Sequence, residues 1–190
     1  MLSQRPYRHS RTEPVFVGFA GRIGAGKTSA AQYLSSKYGF GYIRYSAVLQ
    51  DWLSAEGCDR ERLQQLGWDV MSGGLQVELN TRLIAGINRL ESTVIDGLRH
   101  QIDFDLLSTT FGASFGLIFL EAGEEARFQR VRSRFPTYAA FRAADSQPVE
   151  AHIDSLKSSA STTLSSDEPL ERLYQHLDMW VAANGFGDQR

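Results

Sequence analysis

An eight-residue stretch, Gly21 to Thr28, reads GRIGAGKT and satisfies the pattern G-x-x-x-x-G-K-[ST]. Its glycines let backbone N–H groups approach an anion, its lysine adds a positive charge, and its threonine hydroxyl can bind Mg²⁺. This combination indicates binding of a metal-bound nucleoside triphosphate, with Thr28 as a metal ligand. The residues predicted to contact that nucleotide are Gly21, Ile23, Gly24, Ala25, Gly26, Lys27, Thr28 and Ser29.

A second stretch with chemical potential is Ser92 to Arg99, STVIDGLR. A short β-branched strand that ends in an aspartate has the form of a Walker B element, whose carboxylate binds Mg²⁺ directly or through water. An aspartate at a strand end is also a common turn former. With the glycine-rich loop in the same chain, we expect Asp96 to lie next to Thr28 and to share the metal.

Arginines dominate a third stretch, Glu124 to Phe135. At 100° per residue Arg127, Arg130 and Arg134 share one helical face, while Arg132 lies to the side. Planar guanidinium groups suit phosphate oxygens, so we predict that these three act in catalysis and that Arg130 also contacts the nucleotide. The alternative is a solvated basic face, balanced in part by the neighbouring glutamates.

These residues require a parallel sheet with helices on both sides to hold them at one edge. Apolar runs predict strands at 15–20, 40–45, 92–96 and 115–120, with a weaker fifth strand at 161–164. The connection between the second and third predicted strands is far longer than an ordinary loop, so residues 46–90 should form a helical unit with a functional role. Ser46 is predicted either to cap a helix or to touch a ligand, and Asp59 to cap the next helix. A further helix is predicted over 147–158.

Composition sets limits on the class of protein. The chain has 190 residues, 42% of them hydrophobic, a net charge of −2 and one cysteine. These values favour a single α/β domain over 14–184 in a reducing, cytoplasmic setting, without membrane or nucleic-acid partners. The leader 1–13 is expected to be mobile, with contact to nucleic acid through its three arginines as an alternative, and the tail 185–190 to fray. Monomer and homodimer both remain open.

Together these stretches resemble the nucleoside monophosphate kinase superfamily of P-loop kinases. Asp96-Gly97-Leu98-Arg99 is similar to the D-G-x-x-R element of that superfamily, with the arginine one residue earlier. A closer likeness is to dephospho-coenzyme A kinase-like and archaeal adenylate-kinase-like proteins. It rests on IDGLR, FGLIFLEA and RFQRVRSR, followed by Asp145, Pro148 and Glu150. Many relatives carry an Ala-Asp pair and a later Asn near the last strand, where this chain has Ala160-Ser161 and Ser165-Ser166.

The resemblance implies a three-layer fold with a five-stranded parallel sheet of order 2-3-1-4-5. It also implies an acceptor-binding region at 46–90 and a lid at 123–146. Asp96 would organise Mg²⁺ and Arg99 would bind the acceptor phosphate, with Arg44, Arg62 and Ser46 as further acceptor candidates.

The predicted function is transfer of a phosphoryl group from ATP·Mg²⁺ to a nucleoside monophosphate or a similar small acceptor. The alternatives are a kinase for dephospho-coenzyme A, another small molecule or a polynucleotide, and a nucleotide-binding regulatory protein with little turnover. The chain has no convincing N-K-x-D guanine signature, which argues against a GTPase.

Overall fold

The computed structural model describes residues 13–53 and 60–184. Its core is one sheet of five parallel strands in the order β2-β3-β1-β4-β5, which confirms the predicted topology. The strands are β1 Phe16–Ala20, β2 Gly41–Arg44, β3 Thr93–Leu98, β4 Phe115–Glu121 and β5 Thr162–Ser165.

Strand composition follows position in the sheet. Every residue of β1, the central strand, is buried, and its apolar FVGFA sequence fits a strand covered on both faces. The edge strands β2 and β5 are only partly buried, and the polar TTLS sequence of β5 is tolerated there. The central strands therefore carry the predicted apolar runs, and β5 was the weakest prediction because it lies at an edge.

Helices cover both faces of the sheet and make two separate apolar cores. One core joins the sheet to α1 and α9, and the other joins it to α2, α3, α4 and α5. The helices of the described residues are α1 Lys27–Tyr38, α2 Tyr45–Trp52, α3 Arg60–Ser72, α4 Gln76–Ala85, α5 Gln101–Phe111, α6 Glu124–Val131, α7 Tyr138–Asp145, α8 Pro148–Ala151 and α9 Leu170–Ala183, with 3₁₀ turns at Gly112–Ser114 and Ile153–Ser159. None of these helices is both long and apolar enough to cross a membrane.

Two local predictions were wrong. Ser46 does not cap α2, because that helix already begins at Tyr45 and Arg44 occupies the cap position. The helix predicted over 147–158 is instead the short α8 followed by a 3₁₀ segment. In that segment the hydroxyls of Ser155 and Ser158 donate to the carbonyls of His152 and Ser155, and such local bonds compete with helix formation. The predicted cap Asp59 lies outside the described residues.

Two segments leave the carboxyl edge of the sheet. The helices α2, α3 and α4 connect β2 to β3, and we call them the helical insertion. The helices α6 and α7 follow β4, and a small core of Ile23, Val131 and Phe141 packs them against the Gly21 to Thr28 loop. Both segments thus border the edge where the predicted site residues lie.

Candidate active site

The Gly21 to Thr28 loop runs from the end of β1 into α1. Gly24 and Gly26 have φ angles of 81° and 92°, a region that favours glycine. A Cβ at Gly24 would also lie 2.6 Å from the carbonyl oxygen of Arg127, so the close packing of α6 on the loop requires glycine there. The Lys27 ammonium donates to the carbonyls of Gly21 and Arg22, the latter at 3.0 Å. Lys27 thus sits above the loop at the leading end of α1.

Thr28 and Asp96 meet across the sheet. Because β1 and β3 are paired in parallel, their carboxyl ends lie side by side. The Thr28 hydroxyl donates to Oδ2 of Asp96 at 2.8 Å, and Asp96 is only 2% exposed. The structure therefore brings together the two residues predicted to hold a metal. A hydroxyl and a single carboxylate suit Mg²⁺, which takes one or two carboxylates together with phosphate oxygens and water.

Tyr42 is a member of this site that the sequence did not reveal. It lies on β2, the neighbour of β3, and its hydroxyl donates to the same Asp96 oxygen at 2.9 Å. Loss of solvent, followed by the negative charge of Asp96, raises the pKa of Tyr42 to about 12. Tyr42 therefore stays protonated near neutral pH and acts there as a hydrogen-bond donor.

A cavity of about 610 Å³ opens beside the loop. One wall is the loop and the start of α1, a second is α6 with the residues after it, and a third is the segment between β5 and α9. Its lining side chains combine cations, hydroxyls and apolar groups, which suits a ligand with both a polyphosphate and an aromatic base. They include Lys27, Thr28, Ser29, Arg130, Arg134 and Leu173.

Arg130 joins two walls of this cavity. Its guanidinium donates to the hydroxyl of Ser166 at 3.2 Å and to the carbonyl of Ser166. The Ser166 hydroxyl in turn donates to the carbonyl of Ala25 at 2.8 Å, so α6, the β5–α9 segment and the glycine-rich loop are tied together. Ser166 occupies a position where the sequence departs from the family that it resembles, and its role was not foreseen.

Arg127 pairs with a carboxylate of the protein, whereas the sequence predicted phosphate oxygens as its partners. It is 5% exposed, and its guanidinium donates to both carboxylate oxygens of Asp145 at 2.6 and 3.0 Å and to the carbonyl of Ile23 at 3.0 Å. Arg22 of the loop pairs with the same Asp145 at 3.1 Å. Arg127 does not line the 610 Å³ cavity, so these contacts indicate that it fixes α6 and α7 to the loop.

Arg99 lies in the loop between β3 and α5. Its guanidinium pairs with Oε1 of Glu150, a carboxylate that is 0% exposed. The pKa of Arg134 is lowered by burial, with Glu150 acting to raise it and Arg99 to lower it further. Arg134 thus lines the 610 Å³ cavity and lies near the Arg99–Glu150 pair.

The other predicted acceptor residues are spread over the helical insertion and its entrance. Arg44 ends β2 in register with Asp96, and its buried Nε has no hydrogen-bond partner among the described residues. Ser46 lies in the first turn of α2, and Arg62 is an exposed residue of α3. Arg44 is therefore near the Asp96 edge, whereas Ser46 and Arg62 belong to the helical insertion.

A buried polar network positions the loop that carries Arg99. Oδ2 of Asp103 accepts from the backbone N–H groups of Arg99 and His100 at 3.1 and 3.0 Å. Its Oδ1 accepts from the side-chain amides of Gln76 and Asn80, both on α4. Because such fully bonded networks are rigid, the helical insertion is fastened to the Arg99 loop. Gln76 and Asn80 lie four residues apart, but their sequence spacing alone gave no reason to pair them with Asp103.

No protein-family model matches this chain, and no curated protein matches it. Several solved structures are similar to this chain in fold. A gluconokinase from Sinorhizobium meliloti is 16% identical, with 91% of this chain and 94% of that chain covered and a TM-score of 0.61. A shikimate kinase from Aquifex aeolicus is 13% identical, with 91% and 99% covered and a TM-score of 0.61. TT1252 from Thermus thermophilus is 20% identical, with 90% and 98% covered and a TM-score of 0.60.

These similarities extend over nearly the whole described chain and over nearly the whole of each similar structure. They agree with the five-stranded parallel sheet and its strand order. The predicted closeness to nucleoside monophosphate and dephospho-coenzyme A kinases stays a prediction. The chain has the three-layer α/β fold of the P-loop kinases.

Proposed function

We propose that this protein is an ATP- and Mg²⁺-dependent kinase that transfers a phosphoryl group to a small anionic acceptor, with a nucleoside monophosphate as the first candidate. The observation that supports this most directly is the 2.8 Å hydrogen bond from Thr28 to Asp96, because Thr28 lines the same cavity as Lys27, Arg130 and Arg134. A hydroxyl, a carboxylate and three cations around one cavity are the groups that phosphoryl transfer requires.

Each residue has a part in the proposed reaction. The loop amides and Lys27 hold the β- and γ-phosphates, while Thr28 and Asp96 hold Mg²⁺, which neutralises charge on those phosphates when it is bound. Arg130 and Arg134 face the transferring group and stabilise the charge that spreads over its oxygens. Arg127 holds α6 in place through Asp145 and acts as a positioning residue.

In the reaction an oxygen of the acceptor forms a bond to the γ-phosphorus, and the bond from that phosphorus to the β,γ-bridging oxygen breaks to release ADP. A phosphate acceptor already carries an anionic oxygen, so no base is needed. A hydroxyl acceptor must lose a proton, and Asp96 is the first candidate to take it.

A second candidate function is a kinase for small hydroxy acids. The observation that favours it is the similarity of fold to a gluconokinase and to shikimate kinases. Fold similarity at this identity does not transfer a substrate, so the acceptor has to be found by experiment.

The test measures ADP release with ATP, Mg²⁺ and a panel of acceptors: ribo- and deoxyribonucleoside monophosphates, dephospho-coenzyme A, gluconate, shikimate and an oligonucleotide with a 5′ hydroxyl. We expect release that depends on one class of acceptor and a loss of at least about 100-fold in K27A. The matched control is K37A, because Lys37 lies at the other end of the same helix and pairs with Asp178.

Two outcomes would contradict the proposal. ATP hydrolysis at the same rate with and without every acceptor would indicate an ATPase. Tight nucleotide binding with no transfer to any acceptor would indicate a nucleotide-binding regulatory protein.

A further inference from the structure

Glu150 has a hydrogen-bonding state that the fold does not explain. It is 0% exposed, and its Oε1 is paired with Arg99. Its Oε2 is buried and has no hydrogen-bond partner among the described residues. A buried carboxylate oxygen without a donor is costly, because it has lost its water and gained nothing in return. Such an exception in a folded protein calls for an explanation.

The surroundings of Glu150 place it on the acceptor side of the proposed reaction centre. Arg99 lies three residues beyond Asp96 in the chain, and Asp103 fixes its backbone to the helical insertion. Glu150 itself belongs to α8, which contacts α3 of that insertion. Arg134, which lines the 610 Å³ cavity, is near enough to respond to the charges of both Arg99 and Glu150. The Arg99–Glu150 pair is therefore joined to the helical insertion and lies near Arg134, a residue of the cavity that the phosphate loop also lines.

The groups around this position have complementary chemistry. Arg99 and Arg134 are cations that suit an anionic group of a ligand. The free Oε2 is an acceptor that needs an O–H or N–H donor. A ligand that carries an anionic group together with a hydroxyl or amino donor would satisfy both requirements. Nucleoside monophosphates and hydroxy acids each have this combination.

We propose that Glu150 is a substrate-recognition residue of the acceptor site, in which Oε1 orients Arg99 towards the anionic group of the acceptor and Oε2 accepts a hydrogen bond from a hydroxyl or amino group of the same molecule. This inference rests on the proposed kinase function and narrows its acceptor to an anion with a hydrogen-bond donor. Glu150 would then discriminate against acceptors that lack the donor, because such acceptors leave Oε2 unpaired.

The experiment compares the wild type with E150Q on the acceptor that the panel identifies. Glutamine keeps the size of the side chain but removes its charge and half of its accepting capacity. We expect the KM for the acceptor to rise by about 10- to 100-fold, while the KM for ATP changes by less than about twofold. The control is E121Q, since Glu121 is a half-exposed carboxylate that pairs with Lys157 at 2.7 Å outside the site.

Pairs of acceptors then locate the donor. AMP is compared with dAMP, which lacks the 2′ hydroxyl, and with purine riboside 5′-monophosphate, which lacks the 6-amino group; gluconate and shikimate represent the hydroxy acids. The wild type should prefer the member with the donor, and E150Q should lose that preference. E150D, which keeps the charge but shortens the reach, provides the same comparison if E150Q melts at a much lower temperature than the wild type.

An active wild type with unchanged acceptor kinetics in E150Q and E150D would overturn this inference and leave the kinase proposal standing. A fall in kcat with no change in acceptor KM or preference would also overturn it, because Glu150 would then act only through Arg99. Failure of the wild type to phosphorylate any acceptor would overturn the kinase proposal and this inference together.

Discussion

The hydroxyl of Thr28 lies 2.8 Å from Oδ2 of Asp96, although 68 residues separate them in the chain. The contact arises because β1 and β3 are adjacent parallel strands whose carboxyl ends reach the same edge of the sheet. Asp96 accepts a second hydrogen bond from Tyr42 on the next strand. The strand β2 thus supplies one polar group, β3 supplies a second, and α1, the helix that follows β1, supplies a third. The three groups meet at a single oxygen-rich point.

We expect D96N to lower kcat/KM for phosphoryl transfer by at least about 100-fold, because the substitution removes the carboxylate from the proposed metal site. Nucleotide binding without Mg²⁺ should change little, because Lys27 and the loop amides remain. Steady-state kinetics over a range of Mg²⁺ concentrations, together with calorimetric binding of ATP in a chelator, measure both effects. Wild-type activity in D96N would contradict the assignment of Asp96.

Y42F tests whether the hydrogen bond from Tyr42 to Asp96 contributes to the proposed Mg²⁺ binding. Removing the hydroxyl leaves the ring in place but takes away a 2.9 Å hydrogen bond that orients the carboxylate. Partners of metal ligands commonly affect metal affinity by about 10- to 100-fold, so the Mg²⁺ concentration for half-maximal activity should rise within that range. Y38F is the matched control, because the Tyr38 hydroxyl donates to Asp178 on the opposite side of α1. Equal Mg²⁺ requirements in Y42F and Y38F would show that Tyr42 has no such role.

We expect Arg127 to contribute mainly to stability and Arg130 mainly to ATP binding. R127M removes one partner of a buried ion pair and should lower the free energy of unfolding by about 3 kcal/mol. R130M removes an exposed guanidinium and should change stability by less than about 1 kcal/mol, yet raise the KM for ATP by about 10-fold or more. Urea unfolding and ATP kinetics separate the two effects.

The exposed Arg132, on the other side of the same helical turn, supplies the control R132M. We expect R132M to match the wild type in both measurements. A stable R127M protein with severely reduced kcat would instead restore Arg127 to the catalytic group that the helical spacing predicted.

The sequence was sufficient for the sheet and for the contact between Thr28 and Asp96. Apolar runs located the central strands, and the GRIGAGKT pattern required β1 before it and α1 after it. Once Asp96 was assigned to a strand next to β1, its proximity to Thr28 followed from parallel pairing. These features depend on short-range patterns and on the rules of parallel sheets.

The parts that the sequence did not reveal depend on contacts between distant segments. Helical spacing grouped Arg127 with Arg130, but only the packing of α7 shows that Asp145 binds Arg127. Tyr42 is one aromatic residue on an edge strand, where nothing in the sequence distinguishes it from a packing residue. Glu150 was noted in a resemblance, yet its pairing with Arg99 joins two residues that are 51 positions apart in the chain.

His100 provides a prediction about pH. It is 7% exposed and occupies the N-cap position of α5, where its backbone N–H donates to Oδ2 of Asp103 at 3.0 Å. Burial lowers the pKa of His100; Asp103 and Glu150 act to raise it, and His152 and Arg99 to lower it. A histidine with a lower pKa in the folded state binds fewer protons than in the unfolded state, so stability should fall as the pH decreases through about 6.5.

H100N isolates this effect because asparagine can cap a helix but does not titrate in this range. The free energy of unfolding of the wild type should decrease relative to that of H100N between pH 8 and pH 5.5, as measured by urea unfolding at each pH. Other titrating groups contribute to both curves and cancel in the difference. Parallel curves for the two proteins would mean that His100 has the same proton affinity in the folded and unfolded states, and the predicted loss of stability at low pH would be wrong.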